Sequence, residues 1–227
     1  MKLRYLRCES RKNPLGIDPK KPRLGWKFEA SEGCFDEKQT AYRIVASSSA
    51  GGLEGGDYDR WDSGRVDSYD SLAIAYDGTA QSHQQVFWKV LVWDQDGQQI
   101  ESECAHFSFG LLDSAAEWCA DFIRFFWNPS TPLLRKTFRV EKALRRAVLY
   151  STALGVYEMH LNGSKVGIDR LAPGWTDYNH TLYYQTYEVL DQIAVGDNVI
   201  GGILGAGWYA GYFGPFEDKG YWALPLT

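Results

Sequence analysis

Apolar and polar residues alternate with a two-residue period along much of the chain, and no helical period of any length appears in the first half. Leu24, Trp26 and Phe28 alternate with Gly25, Lys27 and Glu29, which predicts a strand with one buried face. Residues 40–46 are rich in β-branched and aromatic side chains, and Leu72, Ile74 and Tyr76 alternate with Ala73 and Ala75. Residues 86–93 are apolar on both faces apart from Lys89, the pattern of a central strand, and residues 105–109 complete the set. Turn signals separate these runs at Gly51-Gly52, Gly55-Gly56-Asp57, Asp77-Gly78 and Asp96-Gly97.

This spacing predicts a first domain over residues 1–112, a β-sandwich of immunoglobulin or fibronectin III type. Ser114-Ala115-Ala116-Glu117 has the spacing of a helix capping box and predicts a short helix or linker over residues 113–120. The second domain, 121–227, begins with a loop at Asn128-Pro129-Ser130-Thr131-Pro132 and returns to strand-like sequence. Strands are expected over 148–154 and 156–161, then a hairpin turn at Asn162-Gly163 with Val166 starting the return strand. Another is expected over 182–189, and a last one over 199–204 after turns at Asp191-Gln192-Ile193 and Gly196-Asp197-Asn198. The prediction is all-β, two sandwiches in tandem, the second a jelly roll. The final run, residues 221–227, contains Pro225, which cannot donate to a continuing ladder. Missing C-terminal strands, and self-association through an exposed sheet edge, are therefore expected.

Composition narrows the function without naming it. The 227 residues are 44% hydrophobic and 23% charged, ample for a folded core. With a net charge of −5 and basic residues only in doublets such as Lys20-Lys21 and Arg145-Arg146, no stripe exists to neutralise phosphates, so nucleic acid is excluded as a partner. No apolar run approaches a membrane span, and the start has no signal-peptide core, so no membrane contact and a cytoplasmic location are expected. Cys8, Cys34, Cys104 and Cys119 lack any Cys-x-x-Cys spacing and read as reduced thiols. His83, His106, His160 and His180 are dispersed, so neither a metal nor another cofactor is predicted; His160 and Glu158 share one strand face as surface groups. Gly205-x-Gly207-x-x-x-Gly211 misses the dinucleotide-loop spacing and has no predicted helix behind it. Asn179-His180-Thr181 fits an N-glycosylation acceptor, but no secretion signal accompanies it. Trp61, Trp88 and Trp93 read as core before ligand contact, Trp88 above all.

Leu161-Asn162-Gly163-x-x-Val166-Gly167, Tyr187-Glu188-Val189 and Gly196-Asp197-Asn198 resemble the jelly-roll sugar-binding domains of many glycoside hydrolases. Narrower still, Leu171-Ala172-Pro173-Gly174-Trp175-Thr176-Asp177-Tyr178 with Leu204-Gly205-x-Gly207-Trp208-Tyr209-x-Gly211 resembles the N-terminal region of bacterial α-L-rhamnosidases of the large inverting family. Asn13-Pro14-Leu15-Gly16-Ile17-Asp18, Gln39-Thr40-Ala41-Tyr42, Trp61-Asp62-Ser63-Gly64 and Trp88-Lys89-Val90-x-Val92-Trp93-Asp94 are similar to that family's leading fibronectin-like domain. The resemblance implies a parent enzyme that removes terminal α-L-rhamnose from glycosides, with its acid and base on a later (α/α)6 barrel. Inverting hydrolysis needs two carboxyl groups facing each other across the scissile bond. No segment here matches the family's catalytic motifs, so no catalytic residue is assigned, and the chain alone is expected to be inactive. Its implied partners are a rhamnose-containing glycoside and the missing catalytic domain.

Sugars are held by aromatic faces and a few fixed polar groups. The candidates are Trp175, Tyr178, Trp208, Tyr209 and Tyr212, with Asp177 and Asn179 as polar partners. Against this stands a reading in which Trp175 and Trp208 pin loops onto the sandwich or pack on the catalytic domain. A stand-alone carbohydrate-binding module and a purely structural scaffold are the alternative functions.

Overall fold

A computed structural model of the chain describes residues 2–30, 32–33, 35–123, 131–213 and 218–219. Cys34, most of the predicted loop at 128–132 and the final run 221–227 lie outside them. The chain divides into two units, Met1–Trp118 and Cys119–Thr227.

In the first unit, strands β1 (Lys2–Cys8), β2 (Arg23–Glu29) and β5 (Ile74–Ala75) form one antiparallel sheet in the order β1-β2-β5. The facing sheet is built on β3 (Gln39–Ser47) and β6 (Gln85–Asp94), with β4 (Trp61–Asp62) beyond β3 and with β7 (Gln99–Glu101) and β8 (Ala105–Ser108) sharing the far edge of β6. The predicted central strand is buried on both faces for two separate reasons. Val86, Trp88, Val90 and Val92 point into the sandwich core with Leu24, Trp26, Ile44 and Phe107. On the opposite face Leu91 packs with Val45 and Leu53, the last supplied by helix α1 (Ala50–Gly55). Lys89 sits on this second face and reaches Glu101 on the neighbouring strand at 2.5 Å. Trp88 is wholly buried, as predicted.

Four features of the first unit differ from the sequence pattern. Strand β1 goes unpredicted because its register with β2 shifts between Arg4 and Arg7, so the buried positions Leu3 and Cys8 are not an even number apart. Helix α1 replaces the predicted turn at Gly51-Gly52: Ser49 Oγ accepts from Gly52 N at 3.0 Å, and Gly56 closes the far end with φ of 81°. Gly52 is required there, since a Cβ would lie 2.6 Å from Ser47 Oγ. Leu72 is exposed and only Ile74–Ala75 pair, while Tyr76 is fully buried. At α2 (Ser114–Glu117) the cap is Asp113, not Ser114; Glu117 instead accepts from Ser82 at 2.6 Å.

The second unit carries the antiparallel sheet β12-β11-β14-β9, made of β9 (Leu133–Val140), β11 (Val156–Leu161), β12 (Ser164–Lys165) and β14 (Gly196–Gly205). A two-stranded sheet joins β10 (Val148–Ser151) to β13 (Gln185–Glu188). Side chains of both sheets meet in a cluster containing Leu161, Val166, Tyr187 and Val189, with Phe138, Leu149 and Ile200 against it. The Asn-Gly turn forms as predicted, with φ of 50° at Asn162 and 84° at Gly163. The return strand is Ser164–Lys165, and Val166 follows it into the core. Strand β13 is shorter than 182–189, because Tyr183 turns outward. Gly196-Asp197-Asn198 opens β14 rather than preceding it.

Candidate functional site

The sequence motifs of the second unit are gathered at one end of β11. Its first residue pair, Val156 and Tyr157, is registered against Gly205 and Leu204 of β14. On the other side Tyr157 N donates to the Ala172 carbonyl at 2.8 Å, which fastens the 171–179 loop to the strand. Gln185 Nε2 donates to the Pro173 carbonyl at 3.0 Å, and its Oε1 accepts from the Tyr157 hydroxyl at 2.7 Å. Burial pushes the Tyr157 phenol up, so it stays a donor at any physiological pH. Three sequence blocks that are far apart along the chain thus become neighbours through β11.

A one-turn helix, α3 (Gly207–Ala210), lies inside the glycine motif just after β14, and Gly211 leads into β15 (Tyr212–Phe213) and not into a further helix. Its glycines answer to packing rather than to phosphate. Gly207 has φ of +50°, and a Cβ there would lie 2.8 Å from Val156 Cγ1; one on Gly211 would lie 2.3 Å from the Gly207 carbonyl.

The aromatic candidates fall into two pairs. Trp175 and Trp208 stack with their ring planes 9° apart and centroids 6.5 Å apart, and Trp175 remains 49% exposed. Tyr178 and Tyr209 meet edge to face at 5.3 Å. Tyr209 is buried in a cluster with Tyr157, Ala172 and Leu204, and Tyr178 packs against it, so this pair anchors the loop. Tyr212 starts strand β15 (Tyr212–Phe213), and its side chain lies outside the described residues.

The two polar candidates shape the loop. Asp177 Oδ1 accepts from the Asn179 backbone N–H at 3.1 Å and from Asn179 Nδ2 at 3.3 Å, while Oδ2 faces His180 Nδ1 at 2.9 Å. The Asn179 N–H, followed by the His180 ring, holds the Asp177 carboxyl below the usual range. Thr181 N and His180 N close the turn on the Asp177 carbonyl. The sequence missed Gln185 and Tyr183 here. Tyr183 comes within 3.8 Å of a Cβ built on Gly174, and its carbonyl accepts from Thr152 Oγ1 at 2.7 Å. Neither has a local signal, since Tyr183 acts on Gly174 and Gln185 on Pro173, both in the 171–179 loop. Chemically the site offers an indole pair at the surface on a hydrogen-bonded loop, which is a contact surface. Elsewhere on β11, Glu158 faces both His160 at 2.9 Å and Lys165, part of an exposed strand face.

A tandem of β-sandwiches, the first immunoglobulin-like and the second carrying an aromatic loop, is the class that fold and site define. Residues 3–113 match the family described as Rha78A-like, N-terminal immunoglobulin domain, and residues 142–223 match the alpha-L-rhamnosidase N-terminal domain. An alpha-L-rhamnosidase of Formosa agariphila is 36% identical over 229 residues, which is 95% of this chain and 24% of that protein. One from Alteromonas sp. strain LOR is 37% identical over 91% of this chain and 24% of its own length. Among solved structures, the alpha-L-rhamnosidase from Dictyoglumus thermophilum superposes with a TM-score of 0.81 at 34% identity, over 92% of this chain and 25% of that one. The Streptomyces avermitilis alpha-L-rhamnosidase, solved with L-rhamnose, shares the fold with a TM-score of 0.87 at 23% identity, over 99% of this chain and 38% of that one. The chain belongs to the α-L-rhamnosidases as their two-domain N-terminal region. It spans about a quarter of the length of the curated relatives it matches.

Proposed function

We propose that the chain is the non-catalytic N-terminal part of an α-L-rhamnosidase-like glycoside hydrolase, and that its second unit helps recognise rhamnose-containing glycosides through Trp175 and Trp208. The observation that carries this reading is the half-exposed indole stack on a loop fixed at Ala172, Pro173 and Tyr178. A rigid aromatic surface meets the C–H face of a sugar without first having to be ordered. A second reading, in which the same loop braces a catalytic domain, is favoured by the burial of Tyr209 and the packing of Tyr178 on it.

Calorimetric titration with L-rhamnose and a rhamnosylated glycoside distinguishes the two. Recognition predicts binding that Trp175→Ala weakens by about tenfold or more, as loss of an aromatic anchor does, with the fold retained. No heat at millimolar sugar would favour bracing. Hydrolysis of an aryl rhamnoside by this chain alone would overturn the non-catalytic assignment.

A further inference from the structure

The first unit contains a surface hollow of about 340 Å³ between β1, β2 and the segment before β5. Four residues on its wall, Tyr5, Glu9, Ser10 and Ala73, have φ between 48° and 63°. Residues with side chains seldom adopt that conformation, and it persists only where the surroundings impose it. Such a concentration in one wall is the mark of a shaped surface. Tyr5 occupies the bulge of β1 and is 59% exposed. Leu72, 68% exposed, is drawn across Gly25 by a bond from Trp26 N to the Ser71 carbonyl at 2.9 Å. A Cβ on Gly25 would come 3.2 Å from that carbonyl and 3.4 Å from Leu72 Cδ2. An aromatic ring and an aliphatic side chain are thus held exposed in the same hollow.

Its charge is opposite to that of the chain, which is −5 overall. Arg7, Arg23 and Lys27 line it against a single carboxylate, Glu9. Glu9 is committed to Arg23, accepting from its backbone N at 2.6 Å, Nε at 3.2 Å and Nη2 at 2.8 Å. Lys27 lies over the Tyr5 ring at 5.9 Å, and among the described residues neither Lys27 nor Arg7 has an ion-pair partner. Two cations beside exposed apolar groups await an anion with an apolar face.

We infer that this hollow binds an acidic saccharide unit of the hexuronate type, its carboxylate between Arg7 and Lys27 and its C–H face on Tyr5 and Leu72. The volume lies at the small-ligand end of the range for binding clefts, which suits one sugar unit better than a protein surface. The saccharide class rests on the reading of the chain as part of a glycoside hydrolase; the anionic charge does not.

The test is a ¹H–¹⁵N NMR titration of the full chain with methyl β-D-glucuronide, methyl β-D-glucoside and an acidic peptide. Saturable shifts at Tyr5, Arg7, Lys27 and Ala73 with the glucuronide are expected, with the uncharged glucoside weaker by about tenfold, the worth of one charge-assisted contact. Arg7→Gln and, separately, Lys27→Gln should each weaken the glucuronide alone. Equal binding of the two sugars, or no shift at these residues, overturns the proposal. Tighter binding of the acidic peptide overturns the saccharide assignment. A parallel titration with L-rhamnose reads shifts at Trp175, so failure here is separate from failure of the proposed function.

Discussion

At the residue scale, two asparagines show how a local signal and a tertiary role can occupy one side chain. Asn162 supplies the positive φ of the hairpin turn, as its pairing with Gly163 predicts. Its side chain also ties β14 to the 190–192 turn, accepting from Val199 N and donating to the Gln192 carbonyl, each at 2.8 Å. Asn198, read from sequence as a turn residue, is buried at 1% exposure. Its Nδ2 donates to the carbonyls of Ala194 and Gly196, while its Oδ1 accepts from Ala194 N and from Asn162 Nδ2 at 2.8 Å. Asn198→Ala leaves those buried groups unpaired and should destabilise the second unit by about 2 to 4 kcal/mol, read as a lower urea midpoint at unchanged slope. This role was illegible because Asn162 lies 36 residues away. Cys8, read from sequence only as a reduced thiol, is the buried end of the unpredicted strand β1, and burial pushes it up to about 12.

At the scale of elements, most strands of four residues or more were legible, whereas the two-residue β4 and three-residue β7 were not. Residues 86–93 carry their own pattern, whereas β4 is two residues long and is held by its partner. Arg43 on β3 makes a paired contact with Asp62 on β4, Nε to Oδ1 at 2.8 Å and Nη2 to Oδ2 at 2.5 Å, and Ile44 N donates to Ser63 Oγ. Arg43 holds the Asp62 carboxyl below its ordinary 3.8, and Arg23 holds Glu9 below its ordinary 4.5. Folding therefore favours the ionised form of both groups. Their contribution is fully present above about pH 4.5 and is lost as pH falls through the lowered folded-state values. Both pairs are partly solvated, so each is worth at most about 1 kcal/mol. Asp62→Asn should shallow the acid limb of a stability-against-pH curve for the first unit, measured by urea unfolding between neutral pH and pH 3, and leave the alkaline limb unchanged. Strand β1 and helix α1 show why the rest was hidden: a bulge breaks one period, and a Ser49 cap with buried Leu53 overrides the poor helix propensity of Gly51-Gly52.

At the scale of the whole molecule, each unit has its own core. Among the described residues the largest fully buried side chains, Trp26, Trp88, Tyr76, Phe107 and Phe109 included, belong to the first unit. Its rings interlock edge to face, as Tyr76 does with Phe107 at 5.4 Å. The described buried residues of the second unit fall into two smaller clusters. Thermal unfolding followed by near-ultraviolet dichroism and by NMR should show two transitions, the second unit melting first; a single coincident transition would contradict independent cores. Two-residue alternation, turn glycines and the 171–178 and 204–211 motifs determined the all-β class, the tandem layout and the family, because those signals are local and repeat along the chain. Tertiary structure alone decided which aromatics of the 171–178 and 204–211 motifs are surface and which are core. Tyr178 and Tyr209 turn inward and Trp175 stays half exposed because β11 lies between the two motifs and each is packed against it. It alone also assembled the cationic hollow, whose wall comes from segments some 65 residues apart and whose shape depends on backbone conformations that composition does not encode.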